Sequence, residues 1–157
     1  MNPDLDLTLS RVIRAPRSVV WDAWTDPARL ERWWLPAPAV ARVHRLEVRP
    51  GGGFVVSFSE DGREFLPHLD ACVLIAEPGE RIVFTNALDS GLRPAAPEPV
   101  AMTAEIVLAD HPEGTEYRVV VRHGDPAARA RHEELGFAYG WGTVTEQLAA
   151  LAEAARA

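Results

Sequence analysis

The chain has 157 residues, 47% of them hydrophobic and 25% charged, a balance that excludes wholesale disorder and fibrous repeats and can bury a core without covalent staples. The net charge is −7 and all 16 basic residues are scattered arginines, which makes nucleic acid an unexpected partner, because phosphate backbones are held by concentrated positive charge. No apolar run is long enough to cross a bilayer, and the opening MNPDLDLTLSRV shows no basic leader before an apolar stretch, so a cytoplasmic location is expected.

Residues 5–14 alternate Leu5, Leu7 and Leu9 with Asp6, Thr8 and Ser10, the period of a half-buried strand. After Pro16 the period becomes helical through Val19, Val20, Ala23 and Trp24, with Ser18 as the expected N-cap and Pro27 as the stop. A second short helix is predicted over 28–34, ending at Leu35-Pro36. Strands follow at 40–48, 54–59, 65–77 and 81–87, separated by Pro50-Gly51-Gly52-Gly53, Glu60-Asp61-Gly62 and Glu77-Pro78-Gly79-Glu80. Residues 88–99, with three prolines, read as a loop. Strands at 100–109 and 115–123 make a hairpin across His111-Pro112-Glu113-Gly114.

From 126 to 157 a long helix is predicted, its apolar stripe formed by Phe137, Trp141, Val144, Leu148 and Leu151. Such a stripe must be buried, and the sheet is the surface available. The expected fold is therefore one α+β domain over 1–157. About six or seven mainly antiparallel strands curve around the C-terminal helix, with two short helices after the first strand. No repeat or linker divides the chain.

In this order the residues resemble a known family. Arg14-Ala15-Pro16, Val20-Trp21, Ala23-Trp24-Thr25-Asp26-Pro27 and Leu30 with Trp33-Trp34 resemble the entry segment of the START-like (SRPBCC) helix-grip superfamily. The branch is the one similar to the C-terminal domain of the activator of the heat-shock protein 90 ATPase. Glu47-Val48-Arg49-Pro50-Gly51-Gly52, Glu77-Pro78 with 81–85, Gly114-Thr115 and Gly140-Trp141 with Leu148 complete the match. The resemblance implies a helix-grip fold. It also implies one of three functions: lipid or polyketide binding, polyketide cyclase or hydrolase chemistry, or co-chaperone-like protein contact. One fold hosting several functions is usual.

The space between sheet and helix is the natural pocket for a hydrophobic or aromatic small molecule. By strand parity and helical spacing its lining is expected from Trp33, Trp34, His44, Phe58, His68, Asp70, Met102, Tyr117, Val119, Val121, Phe137, Trp141 and Val144. His68 and Asp70 share a parity, so they are expected on one face as an acid–base pair; His44 shares the parity of Val40, Leu46 and Val48 and is a further catalytic candidate. Whether any reaction is catalysed stays open. Trp33-Trp34 before Leu35-Pro36 either cap the mouth of the cavity or pin the short helices to the sheet. His123 at a strand end and His132 at the start of the last helix are placed to meet across the loop.

His132-Glu133-Glu134-Leu135-Gly136 lacks the second histidine of a zinc motif, so neither a metal nor a cofactor is expected. The lone Cys72, in an apolar run, is read as a small buried hydrophobe. A homodimer through a strand edge or residues 92–99 is conceivable.

Overall fold

The computed structural model describes residues 1–155. Strand β1 (Asp6–Ile13) leads into helices α1 (Arg17–Thr25) and α2 (Pro27–Leu30). Strands β2 (Val40–Leu46), β3 (Gly53–Ser59), β4 (Leu66–Glu77), β5 (Arg81–Thr85), β6 (Thr103–His111) and β7 (Gly114–Arg122) follow, then α3 (Pro126–Glu134) and α4 (Phe137–Ala155). All seven strands form one antiparallel sheet in the order β1-β7-β6-β5-β4-β3-β2. This is the α+β helix-grip architecture.

The concave face carries Leu7, Phe54, Val56, Leu69, Ala71, Val73, Ile82, Phe84, Ala104, Ile106, Leu108, Tyr117, Val119 and Val121, all buried. Alternation with period two places them on one side of the pleat. The inner stripe of α4, with Phe137, Val144, Leu148, Ala149 and Ala152, closes over that face. Removing this apolar surface from water is the main stabilising contribution. Cys72 is buried and unpaired, as a small hydrophobe.

The sheet bends at three β-bulges, where the register slips by one residue at His44, His68 and Leu74. A bulge adds an unpaired residue, increases the twist and re-aims its side chains. Strict parity therefore fails at these positions. In β2 the inward residues are Ala41, Val43 and Leu46, whereas Val40, Arg42 and His44 are exposed; before the bulge this is the reverse of the expected face, and beyond it Leu46 and Val48 pack against the core as expected.

Three local expectations are also corrected. Helix α1 begins after Pro16, without a side-chain cap, so Ser18 lies inside it. Helix α2 is one turn, capped by the Asp26 carboxylate accepting from Ala28 N–H at 3.0 Å. The C-terminal helix is broken into two at Leu135–Gly136, where Gly136 takes φ +97°. That left-handed conformation suits glycine and ends the first helix. Of the predicted 126–157 tail, residues 156 and 157 lie outside the described residues.

Two turn glycines have a specific cause. A side chain at Gly52 would run into the Glu47 carbonyl, while the Glu47 carboxylate accepts from Gly53 N–H at 2.9 Å and pairs with Arg45 and Arg49. Gly114 combines φ +146° with close approach to the Ile13 carbonyl. Both sites need the absence of a Cβ.

Candidate functional site

Aromatic rings organise the centre of the molecule. Trp33, at the elbow after α2, is buried and donates its indole N–H to the Ala23 carbonyl at 2.9 Å. Gln147 on α4 donates to the carbonyls of Trp33 and Leu35, at 3.0 and 2.8 Å, fastening the elbow to the long helix. Trp34 meets Trp24, Trp33, Phe54 and Trp141 edge-on, with centroids 5.0–6.2 Å apart. Its indole N–H is buried without a hydrogen-bond partner. Trp33 thus pins the elbow, and Trp34 forms a wall of the space beside it.

That space is a cavity of about 300 Å³ at one end of the grip. Its walls come from Trp34–Pro36, from His68 and Leu69 on β4, and from Asn86, Met102 and residues 98–100 between β5 and β6. The α3–α4 joint supplies His132, Leu135, Gly136, Phe137, Gly140, Trp141 and Val144. On α4, Gly140 lies between Phe137, Trp141 and Val144 on the wall, so a position without a side chain stands among large apolar ones. A Cβ placed on Gly140 would meet nothing within 4 Å. Asn86 is engaged at both ends: its amide donates to Val100 O at 3.1 Å and its oxygen accepts from Met102 N–H at 2.8 Å, tying the segment that follows the 88–99 loop to the rim.

Two histidines from sequence-remote elements line this space. His68, the bulge residue of β4, is exposed at the cavity rim and stands edge-on to Phe58 at 6.1 Å; the protein packed around it partly desolvates the ring and pushes its pKa down. His132 stacks edge-on against Phe137 at 5.3 Å and lies 2.9 Å, Nδ1 to Nε2, from His123. His123 Nδ1 in turn lies 2.8 Å from the Leu5 carbonyl oxygen. Burial first, and the neighbouring His123 second, push the His132 pKa down to about 4. The ring is therefore neutral at pH 7.

The remaining expected site residues are elsewhere. Tyr117, Val119 and Val121 are fully buried in the packed core, and the Tyr117 hydroxyl accepts from the Trp24 indole N–H at 3.2 Å. Trp33 is likewise core. His44 is exposed and bonded to Ser57 Oγ at 2.7 Å, away from the cavity. The expected His68–Asp70 pair is not formed: the bulge turns His68 to the cavity rim, while exposed Asp70 accepts from Ser90 N–H at 2.8 Å. Phe58 touches the site only through His68. Trp34, His68, Met102, Phe137, Trp141 and Val144 do come together on the cavity wall. His132 was placed near His123 by the sequence but not in the pocket. Gly140, a glycine inside the apolar stripe of α4, was the local signal for this part of the wall.

A second, larger groove of about 720 Å³ runs between β1 and the α3–α4 surface. It is lined by Asp6, Arg11, Arg129, Glu133 and Glu146, whose ion pairs Arg11–Glu146 and Arg129–Glu133 satisfy one another. Leu7, Leu9 and Phe137 also line it, but among the described residues five charged side chains share the groove against Glu98 alone in the smaller cavity, so the smaller cavity is the better candidate for an apolar guest. Among the described residues no cluster of His, Cys, Asp or Glu is arranged to hold a metal, and no helix is long and apolar enough to cross a membrane.

Comparison with known proteins agrees with this architecture. The family model described as Activator of Hsp90 ATPase homolog 1-like protein matches residues 14–153. A crystal structure of a protein from Nitrosomonas europaea is similar at 34% identity, with 99% of this chain and 98% of that one covered and a TM-score of 0.89. One from Chromobacterium violaceum is similar at 27% identity, with coverage of 95% and 98% and a TM-score of 0.71. The solution structure of an AHSA1-like protein from Aeromonas hydrophila shares the fold at 18% identity, with coverage of 96% and 94% and a TM-score of 0.70. A comparison with curated proteins finds no match.

Proposed function

We propose that this chain, which belongs to the Activator of Hsp90 ATPase homolog 1-like family, binds a hydrophobic, ring-containing small molecule in the cavity between the sheet and the α3–α4 joint. The observation that carries this reading is the cavity of about 300 Å³ with aromatic and aliphatic walls. That is roughly twice the ~150 Å³ apolar cavity that accepts benzene, so a fused two- or three-ring molecule matches it in size. The polar groups on its walls are few, the pattern of a site that orients a ligand by one or two contacts. His68 and His132 are both held toward their neutral forms, so among the described residues the only charge on the wall is the exposed Glu98, and an apolar guest desolvates no buried charge.

The test is thermal unfolding and calorimetric titration with fused-ring aromatics, flavonoids and fatty acids. A bound compound at about 100 times its Kd adds ~2.7 kcal/mol of stability, which raises Tm by roughly 5–11 °C in a chain of this size. Saturable stabilisation by ring compounds supports the reading. Stabilisation by none of them, at concentrations up to their solubility, overturns it.

A further inference from the structure

The geometry points to a hydroxyl-bearing aromatic as the ligand class, its O–H donated to Nε2 of His132, with His123 as the positioning residue that keeps that nitrogen an acceptor. The inference rests on the cavity being the binding site and adds the chemistry of the contact.

The reasoning starts at the Leu5 carbonyl, which can only accept. His123 Nδ1, 2.8 Å away, must therefore carry a proton. When His123 carries only that proton, its Nε2 is a bare acceptor. The atom 2.9 Å from it is His132 Nδ1, which must then be the donor. The one ring proton of neutral His132 is thus committed to Nδ1, and its Nε2 is left with a lone pair. No hydrogen bond to that nitrogen exists among the described residues, while the ring forms part of the cavity wall. A carbonyl on a remote element so sets, through two imidazoles, the polarity of one point on the cavity wall. Edge-on contact with Phe137 at 5.3 Å holds the ring in place.

An acceptor fixed in an apolar wall selects for a donor. A ligand with a hydroxyl there satisfies the lone pair, whereas one with an ether or a bare C–H leaves it unpaired on desolvation.

The probes are 2-naphthol and 2-methoxynaphthalene, which share the ring system and differ in the donor. In the wild type, 2-naphthol should bind about tenfold more tightly. His132→Asn keeps a donor for His123 but loses the imidazole acceptor, and the ratio should fall to about two or less. His123→Asn can still reach the Leu5 carbonyl but no longer dictates the His132 tautomer, and the ratio should fall there too. Nitrogen-15 chemical shifts of the unliganded wild type should report Nδ1–H on both rings. In His123→Asn, His132 should shift toward the Nε2–H form. Equal binding of the two probes, or a wild-type His132 protonated at Nε2, overturns the inference and leaves the cavity reading standing. Binding of neither probe, with no other ring compound bound, overturns the cavity reading and the inference with it.

Discussion

Replacing Gly140 by leucine separates the cavity from every other surface of the protein. Gly140 lies in α4, lines the cavity and has open space where its Cβ would stand. In a helix interior glycine is about 0.8–1.0 kcal/mol less favourable than alanine, and leucine is close to alanine, so the backbone contribution of Gly140→Leu is a gain of roughly 0.8 kcal/mol. Partial burial of the isobutyl group against Trp34 and Val144 adds about 1 kcal/mol, half the value for a fully buried leucine. The sum, roughly 2 kcal/mol, raises Tm by about 4–8 °C. The same side chain occupies much of the 300 Å³ that a ring compound needs. The expected result, read by calorimetry and thermal unfolding, is a protein more stable than wild type that no longer binds 2-naphthol. A stabilised variant with wild-type affinity would place the ligand elsewhere, and a destabilised one would mean that the space beside Gly140 is already filled.

Three further outcomes follow from the geometry. Tyr117→Phe leaves the buried Trp24 indole N–H without its 3.2 Å partner, which should cost about 1–3 kcal/mol in urea unfolding with an unchanged slope; no loss would mean that the bond contributes nothing. Gly114→Ala forces a side chain onto φ +146° and toward the Ile13 carbonyl, and should cost about 2 kcal/mol or more; a neutral result would contradict that close approach between the β6–β7 turn and β1. For His132, burial and His123 place the folded pKa near 4 against an ordinary 6.5, so the unfolded chain binds more protons between those values and stability falls as pH drops through that window. The interval is worth about 3 kcal/mol at most, and roughly half of it for a ring partly open to solvent. His132→Asn should flatten the stability profile between pH 6.5 and 4, leaving the smaller part due to His68, and an unchanged slope would contradict the assignment.

The polymer order and most of the inner face followed from the sequence by itself. Leu7 and Leu9, Phe54 and Val56, Ala104 through Leu108 and Tyr117 through Val121 repeat with period two, and Phe137 through Leu148 with helical period, because a residue buried on one side of an element must recur at that element's own spacing. Turn glycines and prolines marked where the strands reverse. Three things were decided only by the tertiary structure. The bulges at His44 and His68 interrupt parity without any local residue that announces them; they arise where the curved sheet has to bend, and they separated His68 from Asp70. The break at Gly136 separates α3 from α4 and leaves His132, whose meeting with His123 was legible in the sequence, on the cavity wall; that His123 is held by the Leu5 carbonyl, 118 residues away, was not legible. Finally, whether inward side chains fill the core or leave a cavity depends on volumes summed over α2, β4, the β5–β6 loop and α4 together. Periodicity records which side a residue faces, and only packing in three dimensions records how much space remains.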